Sequence, residues 1–455
     1  LVQFVASFRV THKAFAFLSI GVHVSTAAFP LDPSLSSLPP MINQQPSCSD
    51  SEMPSVHAVP GLKLMDVGQV SSTSSTSEQL KTRSDFVISS STKDVDDAFN
   101  TLYRRAQEAI HLGLQPDLIQ GGSSGSYFVK DETGRYVGVF KPRDEEPFAP
   151  LNPKWPKYFQ KIMCFCCFGR ACLIPNSGYL SEAGASLVDE MLGLSIVPAT
   201  RVVKLASPSF YYERRCLGCI RREVDDARLP PKEGSFQVFV RDFEPANTVL
   251  ARWDYDRSLL SEEERTRFIM LFQKMVVLDY VIRNTDRHND NWMIKHVPGK
   301  ELELVAIDHG LAFPVKHPEV ISRLRSFPFK WQFLKYAQEP WNEGLRVHLL
   351  TKLTPLFVHD MCREIHKLFR HGVGIGKQLT NNQLKVVRGQ LRNLRTALVR
   401  NLPPSEMAKL EPLLVRKRGG APAPTIEADP DDWSPFFKEK KALQVGSSCC
   451  CACCC

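Results

Sequence analysis

The sequence lacks the cysteine pairing of a secreted domain. Of its 14 Cys, four fall between Cys164 and Cys172 and six among the last seven residues. Such clustering excludes a framework of spread disulfides. Long apolar runs are scarce too. Ala14 to Ala28 is apolar and follows Arg9 and Lys13, which resembles a signal peptide and is too short for a spanning helix. Clustered free thiols suit the cytosol, so an irrelevant leader is the preferred reading of that run. The chain also lacks a start Met, beginning instead at Leu1, as a fragment or a misplaced gene start would. Strong charge of one sign is missing: 57 Lys+Arg against 49 Asp+Glu leave +8. That excess suits an anionic partner such as a membrane surface without selecting one.

What is present supports a folded core, with 43% hydrophobic and 23% charged residues. The exception is Pro30 to Thr92, rich in Ser, Pro, Gln and Thr, which buries too little apolar surface to offset ordering entropy. Order is expected from Asp94. Val95, Phe99, Leu102, Ala106 and Ala109 recur at helical spacing before Gly113. A Gly/Ser loop, Gly121 to Ser126, then precedes two β-rich runs, and the second ends at Lys141. Small residues let backbone N–H groups approach a phosphate, and a Lys beyond the hairpin reaches it as a point charge. A Gly/Ser loop alone is more often a linker; the ordered set of loop, hairpin and Lys is more specific.

Arg283 to Trp292 packs two carboxylates, three carboxamides and two cations into ten residues. It follows a helix opened by the capping box Ser261–Glu264, with an apolar stripe of Phe268, Leu271, Phe272, Met275, Leu278 and Ile282. Asp286 and Asn291 have the spacing with which kinases place a base and a metal ligand. Asp308 follows in an Asp-x-Gly, where a kinase keeps its second metal-binding carboxylate. An unrelated polar loop and an Asp-Gly turn is the plain alternative for either half alone. The acid partner of Lys141 is left open between Glu182 and Asp189, both on a short helix from Ser181. Two segments mix cations with aromatics: Leu151–Arg170, and Lys316 to Trp331 with no acid after Glu319. Both suit a lipid headgroup layer. In the first, Cys164, Cys166 and Cys167 are read as acylation sites, in preference to a zinc site or buried structural thiols.

Several of these motifs, in this order, closely resemble the type II phosphatidylinositol 4-kinases: Gly122–Lys130, Val139–Pro142, Cys166–Gly169, Gly178–Val188, Leu278–Tyr280 with Arg283–Arg287, and Asp308–Pro314. The resemblance spans roughly residues 95 to 400. It implies an α+β, two-lobed protein-kinase-like fold: a small β-rich N-lobe over 94–240 with an acylation insert at 151–172, and a larger, mainly helical C-lobe over 241–405. Disordered tails are expected at 1–93 and 406–455. The implied activity is transfer of the ATP γ-phosphate to the 4-hydroxyl of phosphatidylinositol, with Mg2+ or Mn2+. The implied place is the cytosolic face of trans-Golgi, endosomal and plasma membranes, with palmitoylation as the tether and no nucleic-acid partner.

Residue by residue, the resemblance makes Gly122, Ser123, Ser124, Gly125, Ser126, Tyr127 and Phe128 the phosphate loop and Lys141 the phosphate contact. Gln237, Val238, Phe239 and Val240 become the adenine-binding hinge. Asp286 becomes the base, with Arg287, His288 and Asn291 in the catalytic group, and Asn291 and Asp308 the metal ligands. Two departures stand out. Met163–Cys167 is one thiol short of the family's Cys-Cys-Pro-Cys-Cys. His288 stands where Gly is expected, as in the Asp-Arg-His of phosphatidylinositol 3-kinases; it either assists catalysis or occupies a roomy slot.

Overall fold

The computed structural model describes residues 92–154, 171–212, 229–320, 327–371 and 374–442. Cys164, Cys166 and Cys167, Arg323, Arg325, residues 1–91 of the expected N-terminal tail and the terminal Cys cluster lie outside them.

Helix α1 (Thr92–His111) carries the expected stripe, with Phe99, Ala106 and Ala109 buried. Gly113, at φ +90°, closes it. The Gly113 N–H donates to Ile110 O and the Leu114 N–H to Ala109 O, the paired bonds of a left-handed C-cap. The strands β1 (Asp117–Leu118), β2 (Tyr127–Lys130), β3 (Tyr136–Pro142), β4 (Thr200–Leu205) and β5 (Lys232–Val238) form an antiparallel sheet in the order β1-β2-β3-β5-β4. Alternation in β2 sends Tyr127 and Val129 inward. With Phe99, Phe140 and Phe236 they make a small aromatic core between sheet and α1.

Helix α2 (Gly178–Leu192) follows the acylation insert in sequence but packs with the larger core, nearly every face buried. Helix α3 (Ala246–Tyr255) precedes α4 (Glu262–Ile282), whose capping box forms as expected. The Glu264 N–H donates to Ser261 Oγ at 3.2 Å, and the Ser261 N–H donates to Glu264 Oε2 at 3.0 Å. The first half of α4 is amphipathic, while from Met275 to Ile282 it is buried all round. Strands β6 (Glu244–Pro245), β7 (Trp292–Val297) and β8 (Glu301–Ala306) form a second antiparallel sheet. Helices α5 (Glu343–Lys352), α6 (Pro355–Arg370) and α7 (Lys377–Val399) complete the helical lobe. Leu384, Val387, Leu391, Leu394 and Leu398 on α7 are core residues, as their spacing predicts. The fold is thus two-lobed and α+β, kinase-like in its division between a small sheet and a helical region.

Two expectations fail. The chain beyond Glu411 is not all tail: β9 (Leu413–Lys417) and β10 (Phe437–Lys441) pair antiparallel. Val415, Trp433 and Phe437 are buried in the main core. Three apolar residues spread through a Pro-, Ala- and Lys-rich stretch are enough to hold it, and composition averaged them away. Second, the basic-aromatic segment after Asp308 does not turn all its aromatics outward. Phe329 stacks on Tyr280 and Trp331, both rings buried, and His317 is buried as well. The short-period helical turn at Lys330–Phe333 alternates faces, so Lys330 and Phe333 point to solvent while Trp331 does not.

Candidate active site

Helix α4 ends at Arg283, which adopts φ +47° and lets the Asn284 N–H donate to Asp279 O at 2.9 Å. A left-handed Arg costs on the order of 1 kcal/mol, and its side chain supplies the compensation. The guanidinium, 1% exposed as a residue, pairs with Glu319, donates to Phe327 O at 2.8 Å and lies over the Phe329 ring at 4.2 Å. Beyond it, Arg287 is also buried. Its Nε donates to Asp279 Oδ2 at 2.9 Å and its Nη2 to Asp279 Oδ1 at 2.9 Å, while Nη1 donates to the carbonyls of Asn291 and Ile307. Asn284 Nδ2 donates to the same Asp279 Oδ1 and Asn284 Oδ1 accepts the Asp286 N–H.

The dense polar stretch therefore divides in two. Arg283, Asn284, Thr285 and Arg287 point inward and brace the loop; Asp286, His288, Asn289 and Asp290 are left at its surface. This corrects the placing of Arg287 in the catalytic group. It is a positioning residue, holding the backbone at Asn291 and Ile307 together. Asp279 stood in the Leu278–Tyr280 motif without any role assigned to it. The available signal was that it is the only charged residue in the apolar run Met275–Ile282.

Asp286 and Asn291 do converge: Asn291 Nδ2 donates to Asp286 O at 2.8 Å, and among the described residues no hydrogen bond reaches Asn291 Oδ1. His288 Nε2 lies 3.0 Å from Asp286 Oδ1, with the imidazole about half exposed. The Ile307 N–H donates to Asn291 O at 3.0 Å, tying the two loops at adjacent residues. Asp308 then takes φ +54°.

From the other lobe, Lys141 Nζ reaches Glu182 Oε1 at 2.5 Å and Asp308 Oδ1 at 3.2 Å. Glu182, not Asp189, is the acid partner; Asp189 is buried and accepts the Ile196 N–H instead. Burial works against the Lys141 ammonium, yet Asp308 and Glu182 outweigh it and hold its pKa above the ordinary value. Burial likewise opposes the Glu182 carboxylate, and Lys141 with His309 pulls it well below the usual range. The Lys-Glu pair is thus charged on both sides. His309 lies fully buried beside it, Nδ1 3.5 Å from Glu182 Oε2, and its backbone N–H donates to that oxygen at 2.9 Å. Burial lowers the His309 pKa, which favours neutral imidazole.

The Gly/Ser loop is where the structure places it before β2, but its last residues are not free. Tyr127 is wholly buried, and its hydroxyl donates to Glu145 Oε2 at 2.5 Å. Phe128 packs on Tyr136 and Phe239. Both belong to the sheet, so the loop expected to meet phosphate ends at Ser126. Gly125 is required by crowding: a Cβ there would sit 2.4 Å from Glu145 Oε2. The hinge also shrinks. Gln237 and Val238 lie within β5, and the Gln237 amide donates to Thr200 Oγ1 at 3.1 Å. The Val238 N–H goes to Ala199 O and the Phe239 N–H to Val137 O. Among the described residues nothing accepts from the Val240 N–H, so of the four residues expected to form a hinge only Val240 has an unpaired backbone donor. The run of apolar residues did not reveal where the sheet stops pairing.

A two-lobed fold with a Lys-Glu pair facing an Asp-bearing loop defines the class as kinase-like. Comparison with known proteins narrows it. The family described as phosphatidylinositol 3- and 4-kinase matches residues 122–338. Phosphatidylinositol 4-kinase type 2-beta of Danio rerio is 42% identical over 364 residues, 73% of this chain and 72% of that protein. The type 2-beta protein of Mus musculus is 42% identical over 70% of this chain and 74% of its own. Phosphatidylinositol 4-kinase type 2-alpha of Danio rerio is 41% identical over 70% of this chain and 77% of its own. The chain belongs to the type 2 phosphatidylinositol 4-kinase family.

Proposed function

We propose that the protein transfers the γ-phosphoryl group of ATP to the 4-hydroxyl of phosphatidylinositol. The observation that carries the reading is Lys141 Nζ shared between Glu182 and Asp308, a charged bridge from the sheet to the loop tied to Asn291. Relatedness to the type 2 enzymes supplies the substrate and the ring position.

In this reading Asp286 accepts the proton of the lipid hydroxyl as its oxygen attacks the γ-phosphorus, and ADP departs. His288 Nε2, 3.0 Å from Asp286 Oδ1, orients that carboxylate toward its role. Lys141 sits against charge on the phosphates, kept in place by Glu182. Kinases of this family use a divalent cation, and the residues here fit one. Asn291 Oδ1 and the half-exposed Asp308 carboxylate offer hard oxygen donors, and Mg2+ between them would neutralise phosphate charge. The outward Lys330 and Phe333 suit contact with a lipid surface. Residence on trans-Golgi, endosomal and plasma membranes, held by acylated Cys164, Cys166 and Cys167, is part of the same proposal. No described helix is long and apolar enough to cross a membrane.

The test is to incubate purified protein with labelled ATP, phosphatidylinositol vesicles and a generic protein, then identify the product isomer. Phosphatidylinositol 4-phosphate is expected. Label on another ring position or on the protein substrate overturns the assignment. Replacing Cys164, Cys166 and Cys167 together by Ser should shift the protein to the soluble fraction, and unchanged fractionation would place the tether elsewhere.

A further inference from the structure

Lys154 opens the basic-aromatic stretch whose cations were expected to meet anionic lipid, yet its ammonium turns inward. Nζ donates to Ile119 O at 3.1 Å, Gly121 O at 2.5 Å and Gly122 O at 3.2 Å. Three donors meet three peptide carbonyls, and among the described residues no carboxylate pairs with it. Asn152 extends the arrangement. Its Nδ2 donates to Ser123 O at 2.9 Å, and its Oδ1 accepts the Lys154 N–H at 2.6 Å. Four carbonyls of the Gly/Ser loop and its approach are therefore gathered on one side.

The consequence follows from peptide geometry. The described chain contains no cis peptide bond, and in a trans peptide the carbonyl and the next N–H point in opposite directions. With the oxygens of Ile119, Gly121, Gly122 and Ser123 turned to Lys154 and Asn152, the N–H groups of Gln120, Gly122, Ser123 and Ser124 face away from them. Gly122, at φ +76°, takes a conformation that costs glycine nothing. A Cβ on Gly121 or Gly122 would meet nothing within 4 Å, so crowding does not hold these peptides. Left alone, such a loop turns its peptides freely and as readily presents oxygen as N–H. A phosphate needs the N–H side.

We infer that Lys154 is a positioning residue for nucleotide phosphate: it binds the oxygen face of the Gly121–Ser124 peptides and so presets their N–H face toward the anion. This rests on the kinase reading of the Gly/Ser loop. It assigns Lys154 to the nucleotide, not to the lipid. Because the loop addresses phosphate alone, the effect belongs to ATP and ADP and spares the base and ribose.

The experiment uses the full chain with Lys154→Met and Lys154→Arg. Binding of ATP, ADP and adenosine is measured by calorimetry, alongside KM for ATP, KM for phosphatidylinositol in vesicles, and kcat. Lys154→Met should weaken ATP and ADP and raise the KM for ATP by about tenfold, the worth of one charge-assisted hydrogen bond. Adenosine affinity and the lipid KM should stay unchanged, and Lys154→Arg should recover part of the loss. Hydrogen exchange on the unmodified protein gives a second reading, independent of any variant's folding: ATP should protect the Gly122, Ser123 and Ser124 amides. An unchanged KM for ATP, an equal loss of adenosine binding, a rise confined to the lipid KM, or amides left unprotected by bound ATP would each overturn the inference. Failure of the unmodified protein to bind ATP at all would overturn the kinase reading itself, and the inference with it.

Discussion

In the loop from Gly121 to Ser126 one ammonium and one carboxamide grip neutral peptide oxygens, and backbone bonds tie Gly125 to Glu145 and Ser126 to Ile119. The loop from Arg283 to Trp292 is held by a buried ion pair, Asp279 with Arg287, braced by Asn284. Both keep irregular backbone in order, the first through ties to peptide oxygens and the second through an ion pair packed beneath it. The reason lies in what each must do. A loop that cradles phosphate has to let nucleotide in and out, so its ties are few and its residues small. A loop that carries a base and a metal ligand gains from fixed geometry. Removing one partner of a buried pair leaves the other charge stranded, which costs several times what a surface contact is worth.

That contrast can be broken at its strongest point first. Asp286→Asn or Asp308→Asn should lower kcat by about 10²- to 10⁴-fold, with the melting curve unmoved; near-normal turnover by either would remove both residues from the chemistry. Arg287→Leu should cost about 3–5 kcal/mol of stability by stranding Asp279, read in denaturant melts. A loss below about 1 kcal/mol would mean that the buried brace is not what holds the loop. Next is Gly125→Ala, which sets a Cβ 2.4 Å from Glu145 Oε2 and 2.8 Å from Glu145 Cβ. Overpacking of this kind costs roughly 1–3 kcal/mol; unchanged melting would show that the loop yields at no cost. Gly122→Ala meets open space, so it should cost only about 1 kcal/mol of left-handed strain, seen as a raised KM for ATP. The smallest effect belongs to His288→Gly. A half-exposed pair with Asp286 is worth about 1 kcal/mol or less, so kcat should fall no more than about fivefold. A larger fall would put the imidazole in the chemistry.

Much of the site was legible because its parts are local. The spacing of Asp286 and Asn291, the Asp-x-Gly at Asp308 and the strand-ending Lys141 all depend on a few neighbouring residues. The capping box of α4 and the stripe of α1 read directly, since helix period and cap chemistry are written within a turn or two. What failed depended on distant partners. Arg287 looked catalytic because it sits beside Asp286, and only the fold brings Asp279 beneath it. Phe329 and Trp331 belong to a segment whose composition suits lipid, yet Tyr280 and Arg283 cover Phe329, and Phe329 stacks on the buried Trp331.

The sequence by itself determined that there is a helix delivering a polar loop, a Gly/Ser loop ahead of a hairpin, and a Lys waiting for an acid. Tertiary structure alone chose Glu182 over Asp189 as that acid. Both lie on α2 and both are buried, but one points across the lobes to Lys141 and the other caps the Ile196 N–H. It also turned Lys154 from the expected lipid face toward the loop. Charge and hydropathy say how much a side chain costs to bury; only the packed chain says which partner makes that burial bearable.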